Sequence, residues 1–135
     1  MDFNRISFRV RYAETDQMGV VYHGNYPQYL ELGRVGWLRD LGISYKSMEE
    51  NGIILPVISL SIKFKKSAVY DDLITVETRL KKLPVIKIEF DYRIRNETGE
   101  ILAEANTVLA FMDKNSKRPM RCPDAILDKI ENLGV

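Results

Sequence analysis

Cysteine, histidine and tryptophan occur once each in this 135-residue chain, and neither sign of charge dominates, with 20 Lys and Arg against 19 Asp and Glu. Each scarcity excludes something. A lone Cys122 cannot close an intrachain disulfide, and one Cys with one His cannot build the usual Cys/His zinc site. A reducing compartment without a bound metal is the simplest expectation. A net charge of +1 provides no general basic field to recruit nucleic acid or a lipid surface, so a polyanionic ligand needs a local cluster. Met1 to Arg5 lacks the apolar stretch of a signal peptide, and no later run approaches the ~20 apolar residues of a membrane span. The reading is a cytoplasmic protein with no membrane insertion and no nucleic-acid partner.

A composition 45% hydrophobic and 29% charged suits one globular domain across residues 1–135, with no linker, repeat or low-complexity tract to divide it. Periodicity then sorts the chain. Ile6, Phe8, Val10 and Tyr12 alternate with polar residues, the period of a half-buried strand. From Asn25 to Gly42 the period becomes helical. Tyr26, Leu30, Gly33, Trp37 and Leu41 form one stripe, with Asn25 as the cap, Pro27 in the first turn and Gly42 as the stop. Gly33 and Gly36 inside it each cost roughly 1 kcal/mol against Ala, which calls for close approach to a flat partner, a sheet. Leu32, Val35 and Leu38 lie off the stripe and need a cover of their own, while Glu31 and Arg34 read as a surface ion pair.

Ser44 to Asn51 adds one or two helical turns ended by Gly52. Three alternating runs follow at 58–65, 74–80 and 86–95, then a tight turn at Asn96 to Gly99 and a last run at 101–112 that is apolar on both faces. A short helix spans Pro123 to Leu133. The expected fold is α+β, an antiparallel sheet of about five strands wrapped around one long helix inserted after the first strand.

Chemistry concentrates between Tyr12 and Pro27, where a carboxylate (Asp16), the only imidazole (His23), several tyrosines and a helix N-terminus fall within a few residues. Tyr12, Asp16, Gly19, Val21, His23, Asn25 and Tyr26, continued by Glu31 and Arg34 and echoed by Ala68 to Leu73, carry a resemblance. They resemble the hot-dog-fold thioesterases, in the branch of 4-hydroxybenzoyl-CoA thioesterase and the YbgC-like acyl-CoA thioesterases. The match covers nearly the whole chain and implies the hot-dog fold. There is one departure. Phe64, Lys65, Lys66, Ser67 and Ala68 stand where that branch commonly has a Tyr-x-x-Pro-Ala sequence, which alters one pocket wall.

Thioester hydrolysis needs a polarised carbonyl and either an activated water or an oxygen nucleophile. Main-chain N–H groups around Tyr22 and His23 supply polarisation at a helix start, where the dipole favours developing negative charge. The resemblance places the main polarising amide at His23. Asp16 is a poor base at its ordinary pKa, so it acts either as a partly desolvated general base or as a nucleophile through a mixed anhydride. Both roles stay open. The resemblance also lets the His23 imidazole hold the water or Asp16, and lets Tyr12 donate a hydrogen bond from the end of the first strand. Plainer readings stand beside these: an Asx-turn for Asp16, capping or packing for His23, aromatic packing for Tyr12 and Tyr22.

The catalytic candidates are therefore Asp16, His23 and Tyr12, and substrate contacts are assigned to Gly19, Tyr22, Asn25, Ser59, Lys65 and Arg118. Two clusters offer themselves to CoA phosphates, Lys63 with Lys65 and Lys66, and Lys117 with Arg118 and Arg121. Coenzyme A is part of the substrate, and no separate cofactor is expected. Aromatic, short and long acyl groups all suit Met18, Tyr22, Ile58 and Leu60. The resemblance implies a homodimer or homotetramer with sheets joined edge to edge. Two other functions are consistent with the chain: hydrolysis of acyl carrier protein thioesters docked on Lys63 to Lys66, and non-catalytic acyl-CoA binding. A serine hydrolase is disfavoured, because no Gly-x-Ser-x-Gly elbow is present.

Overall fold

Alternating side chains assemble into a five-stranded antiparallel sheet in the computed structural model, which describes residues 3–133. The strands are β1 (Asn4–Arg9), β2 (Ile53–Ile54), β3 (Val57–Phe64), β4 (Leu73–Leu80), β5 (Lys87–Arg95), β6 (Ile101–Ala110) and β7 (Met112–Asp113). The helices are α1 (Tyr26–Asp40), α2 (Tyr45–Glu50) and α3 (Asp124–Glu131). The main sheet runs in the order β1-β4-β5-β6-β3, and β2 pairs separately with β7. This is the expected α+β hot-dog arrangement. Among the described residues no helix is long and apolar enough to cross a membrane.

Register explains the core. Ile6 faces Val76 and Val76 faces Ile94, so one face of β1, β4 and β5 presents a continuous apolar floor. Leu30, Trp37 and Leu38 of α1 pack on it, and the Trp37 ring meets Phe90 edge-on at 5.2 Å. Each such side chain, once buried, contributes roughly 1.5–3 kcal/mol. The two helix glycines make this approach possible. A Cβ at Gly33 would stand 2.8 Å from Val76 Cγ1 and closer still to the Thr78 hydroxyl, and one at Gly36 would stand 2.9 Å from Ile6 Cγ2. Gly42 ends the helix with φ of +80°, a conformation open to glycine at no steric cost.

Several sequence expectations are corrected. Tyr12 does not lie on the first strand, because β1 stops at Arg9 and the chain turns into a short 3₁₀ helix at Tyr12–Glu14, leaving Tyr12 72% exposed. Asn25 does not cap α1 with its side chain, which is bonded elsewhere. Leu38 belongs to the core rather than to an outer face. Arg34 forms no surface pair with Glu31; it is buried, and its Nε donates to the Tyr45 hydroxyl at 3.0 Å. The last strand run breaks at Phe111, so Met112–Asp113 leaves the main sheet to pair with Ile53–Ile54.

β3 departs furthest from its sequence pattern. Its alternation predicts a buried apolar face, yet Ile58, Leu60 and Phe64 are each about half exposed. Helix α1 covers β1, β4 and β5, while β3 at the sheet edge meets it at one end, where the Phe64 ring packs edge-on against Tyr26 at 4.9 Å.

Candidate active site

The loop between β1 and α1 is folded around two carboxylates with different duties. Asp16 Oδ1 accepts the Met18 N–H at 2.9 Å and, at 3.4 Å, that of Val20, while the Asp16 carbonyl accepts from Gly19 N–H at 3.0 Å. This is the Asx-turn reading, and Gly19 closes it with φ of +81°. Oδ2 has no partner among the described residues.

Glu14 was not singled out by sequence reasoning. It is buried, and its carboxylate accepts the Arg11 N–H at 2.8 Å, the Arg11 guanidinium at 3.1 Å and the Tyr29 hydroxyl at 3.1 Å. Burial alone would raise its pKa; the Arg11 and Tyr29 bonds outweigh that and hold it below its ordinary 4.5. The Tyr29 phenol is pushed far up by burial and by the neighbouring Glu14 charge, so it stays a donor. The available signal was Arg11 three residues before Glu14, the spacing of a reciprocal cap.

Glu14's main-chain carbonyl is the second anchor. It accepts the Tyr22 N–H at 2.9 Å and the Asn25 side-chain amide at 2.9 Å. Tyr22's amide is therefore spent, which removes it from the expected polarising pair. The His23 and Gly24 amides, at the start of the short 3₁₀ helix His23–Asn25 leading into α1, donate to no described residue. Such free donors at a helix start suit an anionic oxygen. The Tyr22 ring lies close over Gly24, where a Cβ would stand 2.5 Å from Tyr22 Cε2.

Asp16 and His23 line one cavity of about 290 Å³ with Met18, Val21, Tyr26, Phe64 and Lys65. The opposite wall is pinned from the start of the β3–β4 connection, where the Ala68 carbonyl accepts the Val21 N–H at 2.8 Å. The His23 ring is held by stacking on Tyr22, centroids 4.5 Å apart, and by the edge of Phe64 at 6.5 Å, with no hydrogen bond to Asp16.

The other candidates divide. Lys65 is at the cavity, tied to Glu104 at 3.2 Å, and Lys66 beside it is tied to Glu100 at 2.6 Å. Asn25 acts through Glu14 rather than lining the cavity, and Tyr22 meets it through the His23 ring. Tyr12 stacks on Tyr70 at 5.7 Å, outside the cavity. Ser59 pairs with Val108 on the sheet face carrying Asp91 and Asn106, and Arg118 sits in the exposed turn after β7. Neither lines the Asp16 cavity of its own chain.

A long helix lying across one five-stranded antiparallel sheet is the hot-dog fold, and the known proteins this chain resembles are thioesterases. The sequence model of the thioesterase-like superfamily matches residues 10–130. YneP of Bacillus subtilis is 37% identical over 95% of this chain and 93% of its own length. The acyl-CoA thioesterase YbgC of Haemophilus influenzae is 32% identical over 96% and 97%. Among solved structures, the DHNA-CoA thioesterase of Staphylococcus aureus superposes with a TM-score of 0.90 at 36% identity, covering 98% of this chain and 93% of that one. The chain belongs to the thioesterase-like superfamily, in the branch that holds the YbgC-type enzymes.

Proposed function

We propose that the chain hydrolyses acyl-CoA thioesters in the Asp16–His23 cavity. One observation carries the reading: Asp16, whose Oδ2 has no partner among the described residues, lines the same cavity of about 290 Å³ as His23, at the start of α1 where the His23 and Gly24 amides are unpaired. The thioester carbonyl is polarised by the His23 N–H, and loss of one such donor slows acyl transfer about 10²–10³-fold in comparable sites. Two routes then balance. As general base, Asp16 takes a proton from water, the hydroxide adds to the carbonyl carbon, the C–S bond breaks, and the proton passes to the departing CoA thiolate. As nucleophile, Asp16 itself adds, the C–S bond breaks, and water hydrolyses the mixed anhydride. Single turnover in oxygen-18 water bears on the two: label in the Asp16 carboxylate marks the covalent route with water attacking the Asp16 carbonyl carbon, and label only in the product acid favours the base.

A second copy completes the site in this reading. Val57, Ile58, Leu60 and Phe64 expose apolar surface on an edge strand, a combination that pairing with another β3 would bury. Ser59 and Arg118 meet the substrate's CoA portion from that second copy. Hydrolysis of acyl carrier protein thioesters is the other reading. Glu104 and Glu100 neutralise Lys65 and Lys66, which leaves little basic surface for an acidic carrier. Thiol release from matched acyl-CoA and acyl carrier protein thioesters on one preparation decides between them, with faster turnover expected for CoA.

A further inference from the structure

Glu14 is only 7% exposed and lies two residues before Asp16, yet neither hydrolytic route gives its side chain a task. Stability explains it poorly. Its one ion pair is with the Arg11 guanidinium, whose side chain is 78% exposed, and a pair so open to water offsets little of what burying a carboxylate costs.

The buried group instead joins two parts of the chain. Among the described residues, two side-chain hydrogen bonds cross from the β1–α1 loop to the helical segment 23–40, and both end on Glu14. The Asn25 amide donates to its main-chain carbonyl at 2.9 Å, and the Tyr29 hydroxyl donates to its Oε1 at 3.1 Å. The same Oε1 accepts the Arg11 N–H at 2.8 Å, whereas Oε2 meets only the Arg11 guanidinium. One oxygen thus binds the loop's main chain to the first turn of α1. Tyr29 is a firm anchor for it. Its ring packs on Phe8 at 5.0 Å and edge-on against Tyr26 at 5.6 Å, and Tyr26 lines the Asp16 cavity.

We propose that Glu14 is a positioning residue, whose Oε1 sets the gap between the Asp16 carboxylate and the His23 amide by clamping the loop to α1. The inference rests on the acyl-CoA reading above. Asp16 sits on the loop side of that clamp, its turn closed locally through the Met18 and Gly19 N–H groups. The His23 amide sits on the other side, next to Tyr22, whose own N–H is held by the Glu14 carbonyl. A misplacement of about 1 Å between groups that must act on one carbonyl costs on the order of 10²-fold in rate. The role calls for an acceptor of the right reach rather than for a charge. A glutamine amide oxygen at Oε1 accepts the same two bonds, and only the exposed ion pair is lost. Aspartate is one methylene too short to take both.

The test measures kcat and KM by thiol release from benzoyl-CoA, butyryl-CoA and palmitoyl-CoA, with Tm, for wild type, Glu14→Ala, Glu14→Asp, Glu14→Gln and Tyr29→Phe. On each substrate that wild type hydrolyses, Glu14→Ala and Glu14→Asp lower kcat about 10- to 100-fold and leave KM within about threefold. Glu14→Gln restores kcat to within about threefold of wild type. Tyr29→Phe keeps the ring contacts, lowers kcat about fivefold, and carries the test where Glu14→Ala does not fold. A Tyr29→Phe kcat equal to that of wild type, a Glu14→Gln variant as slow as Glu14→Asp, or losses that fall on KM rather than kcat would overturn the inference and leave hydrolysis standing. No thiol from wild type on any of the three substrates overturns the acyl-CoA reading, and this inference with it.

Discussion

The Asn25 side-chain amide donates to the Glu14 main-chain carbonyl at 2.9 Å, tying the start of α1 back across the loop from β1. The same carbonyl takes the Tyr22 N–H, so one oxygen sets where the next free amide, that of His23, stands. Removing the donor in Asn25→Ala forfeits about 1 kcal/mol and loosens that amide. Steady-state kinetics should show kcat down roughly tenfold with a smaller change in KM. Asn25→Asp should do no better, because a carboxylate cannot donate to a carbonyl.

Gly33 is expected to reject the smallest possible enlargement. A methyl group there meets Val76 Cγ1 at 2.8 Å and the Thr78 hydroxyl closer still. The gain of roughly 1 kcal/mol in helix propensity is outweighed by overpacking of roughly 1–3 kcal/mol. Gly33→Ala should lower Tm by several degrees in calorimetry, and adding Thr78→Ala should restore part of the loss.

Acid stability should depend on Glu77, on the sheet face away from α1. Arg5 and Arg95 reach its carboxylate at 2.8 Å and Arg93 at 3.2 Å. Burial would raise its pKa, but these arginines hold it below the ordinary 4.5. A depressed carboxylate stabilises the fold fully above its unfolded pKa and loses that contribution as pH falls through its folded value. Wild-type Tm should therefore fall more steeply between about pH 5 and pH 3 than that of Glu77→Gln. Parallel curves would remove Glu77 as the cause.

The exposed row on β3 supplies a test of assembly. Leu60 is half exposed in one chain, so Leu60→Asp should cost the single chain at most about 0.5 kcal/mol of folding stability. Sedimentation velocity should show wild type as a dimer or larger and the variant as a monomer with an unchanged far-ultraviolet spectrum. Its kcat/KM should fall at least tenfold. A variant that still sediments with wild type would show that β3 is not the contact.

Much of this was legible in the residues. The alternation of Ile88, Phe90, Tyr92 and Ile94 on β5, the helical stripe through Leu30 and Trp37, and the two helix glycines pointed correctly to a helix pressed onto a sheet. Asp16 and His23, seven residues apart, line one cavity. What could not be read were partnerships between distant side chains. Arg34 has the spacing of a surface pair with Glu31, and only the fold brings Tyr45 and Tyr92 to it. Glu14 and Tyr29 are likewise joined by tertiary packing. β3 shows a different limit, because an apolar alternation looks the same in a covered strand and in an edge strand whose Ile58, Leu60 and Phe64 are half exposed.

The central claim is that the Asp16 carboxylate drives thioester cleavage while its Oδ1 merely holds the turn. Asp16→Asn isolates the two, since an amide oxygen still accepts the Met18 N–H and the loop keeps its shape. Thiol release should be measured for wild type and Asp16→Asn across aromatic, short and long acyl-CoA substrates, with Tm recorded for both. The account predicts a fall in kcat of about 10²–10⁴ on every substrate that wild type hydrolyses, at a Tm within a few degrees of wild type. Turnover by Asp16→Asn within twofold of wild type would contradict it.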